Sequence, residues 1–259
     1  MSQEVPIATL FSAGNAVIGP PLVINVASDT HRADDIYHHM SQWGVRPEMF
    51  PAVTGVSLPA LPQSLRETKF AVNLNLSHAA ASRHCLINTT GQVWMVMEDD
   101  CRFLSDPRVV VANVLKAVQG VDWSVISLGR ISHERQGPRP QPPDGYDKLA
   151  LVQPKGWYPW GSHAYIVNRK HAARLVSMWS GCFYPADHVL LHEYAAGTGF
   201  LLRPSVAYQE EYASYQCEGN GVNSSKRTAD LPPALIELIC STGPRTHRGP
   251  EWRDYEASG

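Results

Sequence analysis

Apolar positions recur with two different periods along this chain, and the two periods divide it into strands and helices. Short, continuously apolar runs mark strands buried on both faces. One covers 22–26, where Leu22-Val-Ile-Asn-Val26 is bounded by Pro21 and by Ser28-Asp29. Others cover 93–97, 125–128 and 164–167, with shorter runs at 49–53, 149–152 and 200–203. Between them the spacing turns helical. Ile36, Met40 and Trp43 recur at steps of four and three and predict a helix over 30–43 that stops at Gly44. The same reasoning predicts helices over 74–86, 109–118, 169–178 and 187–195, and a last helical turn over 235–240. Strands alternating with helices argue an α/β fold with a mainly parallel central sheet. Residues 1–21 lack a clear pattern and read as an N-terminal arm. Residues 22–216 read as a single domain, and 217–259 as a C-terminal extension whose polar end is disordered.

Composition sharpens this picture. The chain has 259 residues, 22 Lys and Arg against 24 Asp and Glu, and a net charge of −2, which excludes the basic excess of a nucleic-acid binder. A chain of this length buries roughly three quarters of its unfolded surface and needs no disulfide or structural metal to fold. Only 18% of residues are charged, while there are 19 glycines and 20 prolines, so long ordered loops are expected on a compact body. Much of the proline falls in 136–160. The cysteines (Cys85, Cys101, Cys182, Cys217, Cys240) are dispersed, odd in number and form no C-x-x-C pair, so reduced thiols and a cytoplasmic location are expected. No Lys or Arg precedes Arg32, which argues against a signal peptide. No apolar run approaches the roughly 18 residues of a membrane span, which leaves only peripheral membrane contact open.

The most informative local feature is Glu98-Asp99-Asp100, at the end of the most apolar strand. Open α/β sheets place ligands at this edge. Adjacent carboxylates repel unless a cation or donors neutralise them, and a hard divalent cation binds carboxylate and phosphate oxygens together. Alternation along an extended segment predicts Glu98 and Asp100 on one face and Asp99 on the other. An acidic turn that caps the next helix is the competing reading.

In order along the chain, several segments resemble glycosyltransferase family 25, the group of bacterial lipooligosaccharide galactosyltransferases and collagen galactosyltransferases. They are Val23-Ile-Asn-Val-Ala-Ser-Asp-Thr-His-Arg32, Phe50-Pro-Ala-Val-Thr-Gly55, Leu76-Ser-His-Ala79, Val96-Met-Glu-Asp-Asp100, Asp122-Trp123, Trp160-Gly-Ser-His-Ala-Tyr-Ile-Val167, Pro185-Ala-Asp187, and Arg203-Pro204 with Gln209. The resemblance implies a single GT-A-like, Rossmann-related domain. It implies a metal-dependent transfer of a hexose from a nucleotide sugar, UDP-galactose or UDP-glucose, to a glycan or lipid-linked acceptor, with inversion. It implies Asp100 with Glu98 as ligands of Mn²⁺ or Mg²⁺. Asn25, Ala27, Ser28, Arg32, His78, Glu98, Asp99 and Gly161 are the implied donor-binding positions.

Single residues keep their alternatives. Arg32 reads equally as a phosphate or base contact and as a surface arginine. His78, on an apolar helix face, reads first as a core histidine and is carried by the motif. Asp187 is the implied base for the acceptor hydroxyl, against a helix cap, with Glu210 and Glu211 behind it. Trp157, Tyr158 and Trp160 suit either a sugar platform or loop anchoring. His188 and His192 share a helix face, but the order H-x-x-x-H-E misplaces the base of a zinc hydrolase. The Asn73-Leu74 pair and the Pro-rich segment depart from the family pattern. They motivate a second reading, a non-catalytic nucleotide-sugar or glycan-binding protein on the same scaffold.

Overall fold

The computed structural model describes residues 11–13, 16–54, 66–129, 149–154, 160–182 and 185–210. Two compact units divide the chain, Met1–Ala213 and Ser214–Gly259, and the second lies outside the described residues. The first unit begins with β1 (Phe11–Ala13), β2 (Ala16–Ile18), β3 (Leu22–Asn25), α1 (Thr30–Ser41), β4 (Glu48–Pro51) and α2 (Arg66–Asn88). It continues with β5 (Val93–Glu98), β6 (Cys101–Phe103), α3 (Pro107–Ala117), β7 (Val125–Ser127) and β8 (Ala150–Val152). Then come β9 (Ala164–Asn168), α4 (Arg169–Ser180), α5 (Asp187–Ala195), β10 (Gly199–Arg203) and β11 (Ala207–Gln209).

Nine strands form one sheet in the order β1-β2-β5-β9-β7-β10-β8, with β3 beside β5 and β4 beside β3. Six of them (β2, β3, β4, β5, β7 and β10) point the same way. Strand β9 runs against both its neighbours, β5 and β7. The sheet is therefore mixed in its pairings and mainly parallel in its strand directions.

Alternation along each central strand builds a core on both faces. On β5, Val93, Met95 and Met97 pack on one side with Ile36 and Met40 of α1 and Val110 and Val114 of α3. Trp94 and Val96 pack on the other with Ala81 and Cys85 of α2, Leu175 and Trp179 of α4, and Leu190 of α5. A strand covered on both faces must be apolar at every position, which is why these runs show no polar alternation. The helices begin where their sequences provide caps. Asp29 accepts from the Arg32 N–H at α1, Asp106 from Arg108 at α3, and Asn168 from Lys170 at α4. The chain leaves α1 through Gly44, at φ +65°, a left-handed turn that suits glycine.

Several elements differ from expectation. Helix α2 begins at Arg66, well before residue 74. Two short strands, β1 and β2, lie inside the stretch read as an arm, and β2 joins the main sheet beside β5. Strands β6 and β11 pair as a small second sheet that no run of apolar residues announced. The helical turn at 235–240, the extension 217–259 and most of 136–160 lie outside the described residues. Among the described residues, no helix is long and apolar enough to cross a membrane.

Candidate active site at the carboxyl edge of the sheet

Strands β3 and β5 are adjacent and parallel, so Asn25 and Glu98 end at the same edge. Because β9 is antiparallel to β5, its amino end, with Gly161, Ser162 and His163, arrives there too. The edge thus gathers residues far apart in sequence.

Glu98 is the last strand residue and keeps the alternation of Trp94 and Val96, so it faces the α2 side. There the Ser162 hydroxyl donates to its Oε1 at 2.6 Å, and His78 Nε2 lies 3.5 Å from the same oxygen. His78 is fully buried, stacked on Trp179, with Nδ1 2.8 Å from the Tyr165 hydroxyl. His78 is thus a core histidine, as its apolar helix face predicts, and it also reaches the carboxylate of Glu98. Burial works to raise the Glu98 carboxyl. The hydrogen bond and charge of His78, with the Ser162 hydroxyl, outweigh it and hold the group below its ordinary value.

At Asp99 the chain leaves the strand for a two-residue turn, and here the expected alternation fails. Asp99 and Asp100 both meet Arg32 of α1, and Glu98 is the one turned elsewhere. Arg32 Nη1 lies 2.9 Å from Asp99 Oδ1, and Nη2 3.5 Å from Asp100 Oδ2. Period two holds only while the backbone stays extended. The other oxygen of Asp99 accepts from Asn25 Nδ2 at 2.8 Å, so both oxygens of this carboxylate are committed within the protein. Asn25 Nδ2 also donates to the Asp29 carbonyl and so ties down the loop carrying Ala27 and Ser28, which are exposed.

Asp100 is held on one side only. Its Oδ2 accepts from Gln209 Nε2 at 2.9 Å, while its Oδ1 is buried without a partner among the described residues. Burial and the neighbouring charge of Glu98 push its carboxyl up to about 7, against the pull of Gln209 and Arg32. Asp187 repeats the pattern. The Gly161 N–H donates to its Oδ2 at 3.1 Å, and its Oδ1 is buried and unpartnered among the described residues. Gly161 sits at φ +119°, a conformation that favours glycine. Asp187 makes no capping bond; the cap position of α5 belongs to Ala186. Burial and the Glu98 charge raise its carboxyl to about 6, with the Gly161 N–H opposing.

Other sequence candidates fall elsewhere. Glu210 is spent on Arg102 Nε at 2.7 Å, and Glu211 lies outside the described residues. Trp160 meets the His188 ring edge to face at 5.1 Å, while Trp157 and Tyr158 lie outside the described residues. His188 is pushed down to about 4 by burial, His192 is exposed, and no three potential ligands converge on a metal position among the described residues. Cys85, Cys101 and Cys182 are free thiols. Ser162, Tyr165 and the contact made by Gln209 were missed. All three depend on β9 and β11 lying beside β5 and β6, a pairing that local sequence does not carry.

No protein-family model matches the chain, so the resemblance to family 25 rests on its motifs. No curated protein matches it either. Among solved structures, one similar in fold is a glycosyltransferase involved in the glycosylation of the major capsid of PBCV-1. It is 10% identical, with a TM-score of 0.42 over 71% of this chain and 80% of that one. Another is a putative glucose-1-phosphate thymidylyltransferase from Bacillus anthracis in complex with sucrose. It is 10% identical, with a TM-score of 0.33 over 70% of this chain and 65% of that one.

Proposed function

We propose that the protein is a metal-dependent glycosyltransferase that moves a hexose from a UDP-sugar to a hydroxyl of a glycan or lipid-linked acceptor, with inversion. The observation that carries the reading is a pair of buried carboxylate oxygens, Asp100 Oδ1 and Asp187 Oδ1, both without partners among the described residues at the ligand-binding edge of an α/β sheet. Leaving buried acceptors unmatched is costly, and a ligand that supplies the missing partners relieves the cost.

Asp100 Oδ1 would take one coordination position of a hard cation, Mn²⁺ or Mg²⁺, with the diphosphate and water as further ligands. Glu98, held on the α2 side by Ser162 and His78, would act on the cation only through its nearby charge. Such a cation relieves the repulsion between Glu98 and Asp100. When bound, it supplies Lewis-acid stabilisation of the diphosphate leaving group. Asp99 is spent on Arg32 and Asn25, so its part is to fix the Arg32 guanidinium beside the diphosphate. Ala27 and Ser28, exposed on the loop after β3, lie where the base and ribose would meet the sheet edge.

Asp187 takes the proton of the acceptor hydroxyl. As that oxygen bonds to the anomeric carbon, the bond from carbon to the diphosphate oxygen breaks, and its electron pair leaves with the diphosphate. A carboxyl near 6 is ionised at neutral pH and still basic enough to serve. The rate of transfer should therefore rise with pH through about 6, and transfer should be lost in Asp187→Asn.

A panel of UDP-hexoses with and without Mn²⁺, read by thermal shift and by UDP release, tests the reading. Mn²⁺-dependent stabilisation by one UDP-hexose, with UDP release lost in Asp100→Ala, is the expected result. Full activity in Asp100→Ala would remove the metal assignment. Binding without turnover across an acceptor panel would leave the binding-protein reading, and no affinity for any nucleotide sugar would remove both.

A further inference from the structure

Asp100 has two oxygens in different situations, and the difference has a cause in β11. Strand β11 pairs antiparallel with β6 in the register Gln209 to Cys101, so Gln209 stands beside the turn that carries Asp100. The Glu210 N–H, next in the chain, donates to the Asp100 carbonyl at 2.8 Å and pins the backbone. The Gln209 amide donates to Asp100 Oδ2 at 2.9 Å, the shortest contact of that carboxylate. Arg32 reaches the same oxygen from α1 at 3.5 Å. Both donors therefore meet Oδ2, and Oδ1 is left buried and open.

We propose that Gln209 is a positioning residue for the cation site: its amide locks the Asp100 carboxylate in the one rotamer that presents Oδ1 to a divalent cation. A primary amide suits this task because it gives an N–H without adding charge. A second cationic side chain beside Arg32 would further oppose the incoming metal, and a carboxylate would repel Asp100. Partners behind a ligand that fix its orientation typically change metal affinity by about 10–100-fold when removed. The proposal rests on the reading of Asp100 as a cation ligand and adds what orients it.

Mn²⁺ binding provides the test, with no need for turnover. Mn²⁺ is titrated into the full chain with UDP present, and the free-ion signal is followed by electron paramagnetic resonance. The parent protein is compared with Gln209→Met, which keeps the volume and loses the N–H, and with Asp100→Asn. Weakening of Mn²⁺ binding by about tenfold or more in Gln209→Met is the expected result. Gln209→Asn, which withdraws the amide by one methylene, should weaken it similarly and decides the matter if the methionine variant fails to fold. A residue that merely buttressed the small sheet would lower the melting temperature and leave the Mn²⁺ affinity of the folded protein unchanged. That outcome overturns the proposal while keeping Asp100 as a ligand. A parent protein that binds no Mn²⁺ removes the metal reading and this inference together.

Discussion

At the scale of single residues, the site is built from carboxyl groups that the fold pushes in two opposite directions. Glu98 is held ionised by His78 and Ser162, while Asp100 and Asp187 are pushed toward protonation by burial. For Asp187 the folded value of about 6 lies above the ordinary 3.8. The folded state then binds the proton more tightly than the unfolded state, so this group stabilises the fold at low pH. That stability is lost as pH rises from about 4 through about 6. Asp187→Asn removes the buried charge and keeps an acceptor for the Gly161 N–H. It should raise the unfolding free energy by about 2–3 kcal/mol at pH 8 and by little at pH 4, measured by urea melts, while abolishing transfer. Equal effects at the two pH values would mean that the Asp187 carboxyl is not raised in the folded protein. Glu98 and Asp100 were singled out because an acidic triplet follows an apolar strand, whereas Asp187, at a helix start where a capping Asp is common, was singled out only by the motif resemblance. The direction in which each points was not legible.

At the scale of elements, short strands matter more for the site than long ones. Gly129 forms the bridge from the end of β7 to Ala207 of β11. A Cβ at Gly129 would strike the Ala207 carbonyl and the His163 ring. Gly129→Ala should cost about 1–3 kcal/mol through overpacking, and it should also lower Mn²⁺ affinity, because β11 carries Gln209. Loss of stability with unchanged affinity would show that the bridge is not coupled to the site. Helix caps behave more locally. Asn168→Ala removes the cap of α4 and should cost about 1 kcal/mol in a denaturant melt without changing nucleotide affinity. The elements read best from sequence were those rich in apolar positions, such as α5 and β5, whose observed bounds agree with expectation to within a residue. Strands β6 and β11, three residues each, hold too few positions for a period to show.

Across the whole molecule, one buried charge joins α4, α5 and β10. Glu193 is fully buried and receives two hydrogen bonds from Arg174, at 2.7 and 2.6 Å, with the Thr198 and Ser124 hydroxyls on the same carboxylate. Because Glu193 lies on the helix that Asp187 opens, this network fixes how α5 sits against the sheet. Arg174→Met leaves the carboxylate buried without its counter-charge and should cost about 3 kcal/mol. The loss should show in the unfolding free energy measured by urea melts at pH 7. An unchanged melt would mean that water already compensates the charge. Two-sided burial of the sheet explains why the central strands could be found from apolar runs alone, but not in what order they pair.

The sequence by itself determined the central strands and the helices that cover them, the two-sided core and the position of the acidic turn at the end of β5. These follow from periodicity and from the expense of burying polar groups, which act along the chain. Only the tertiary structure decided that β9 enters antiparallel between β5 and β7, that Asp99 and Asp100 share Arg32, and that Gln209 reaches Asp100. Each of these is a contact between segments distant in sequence. Side-chain direction at a turn and strand pairing across a sheet are set by packing, which no local period records.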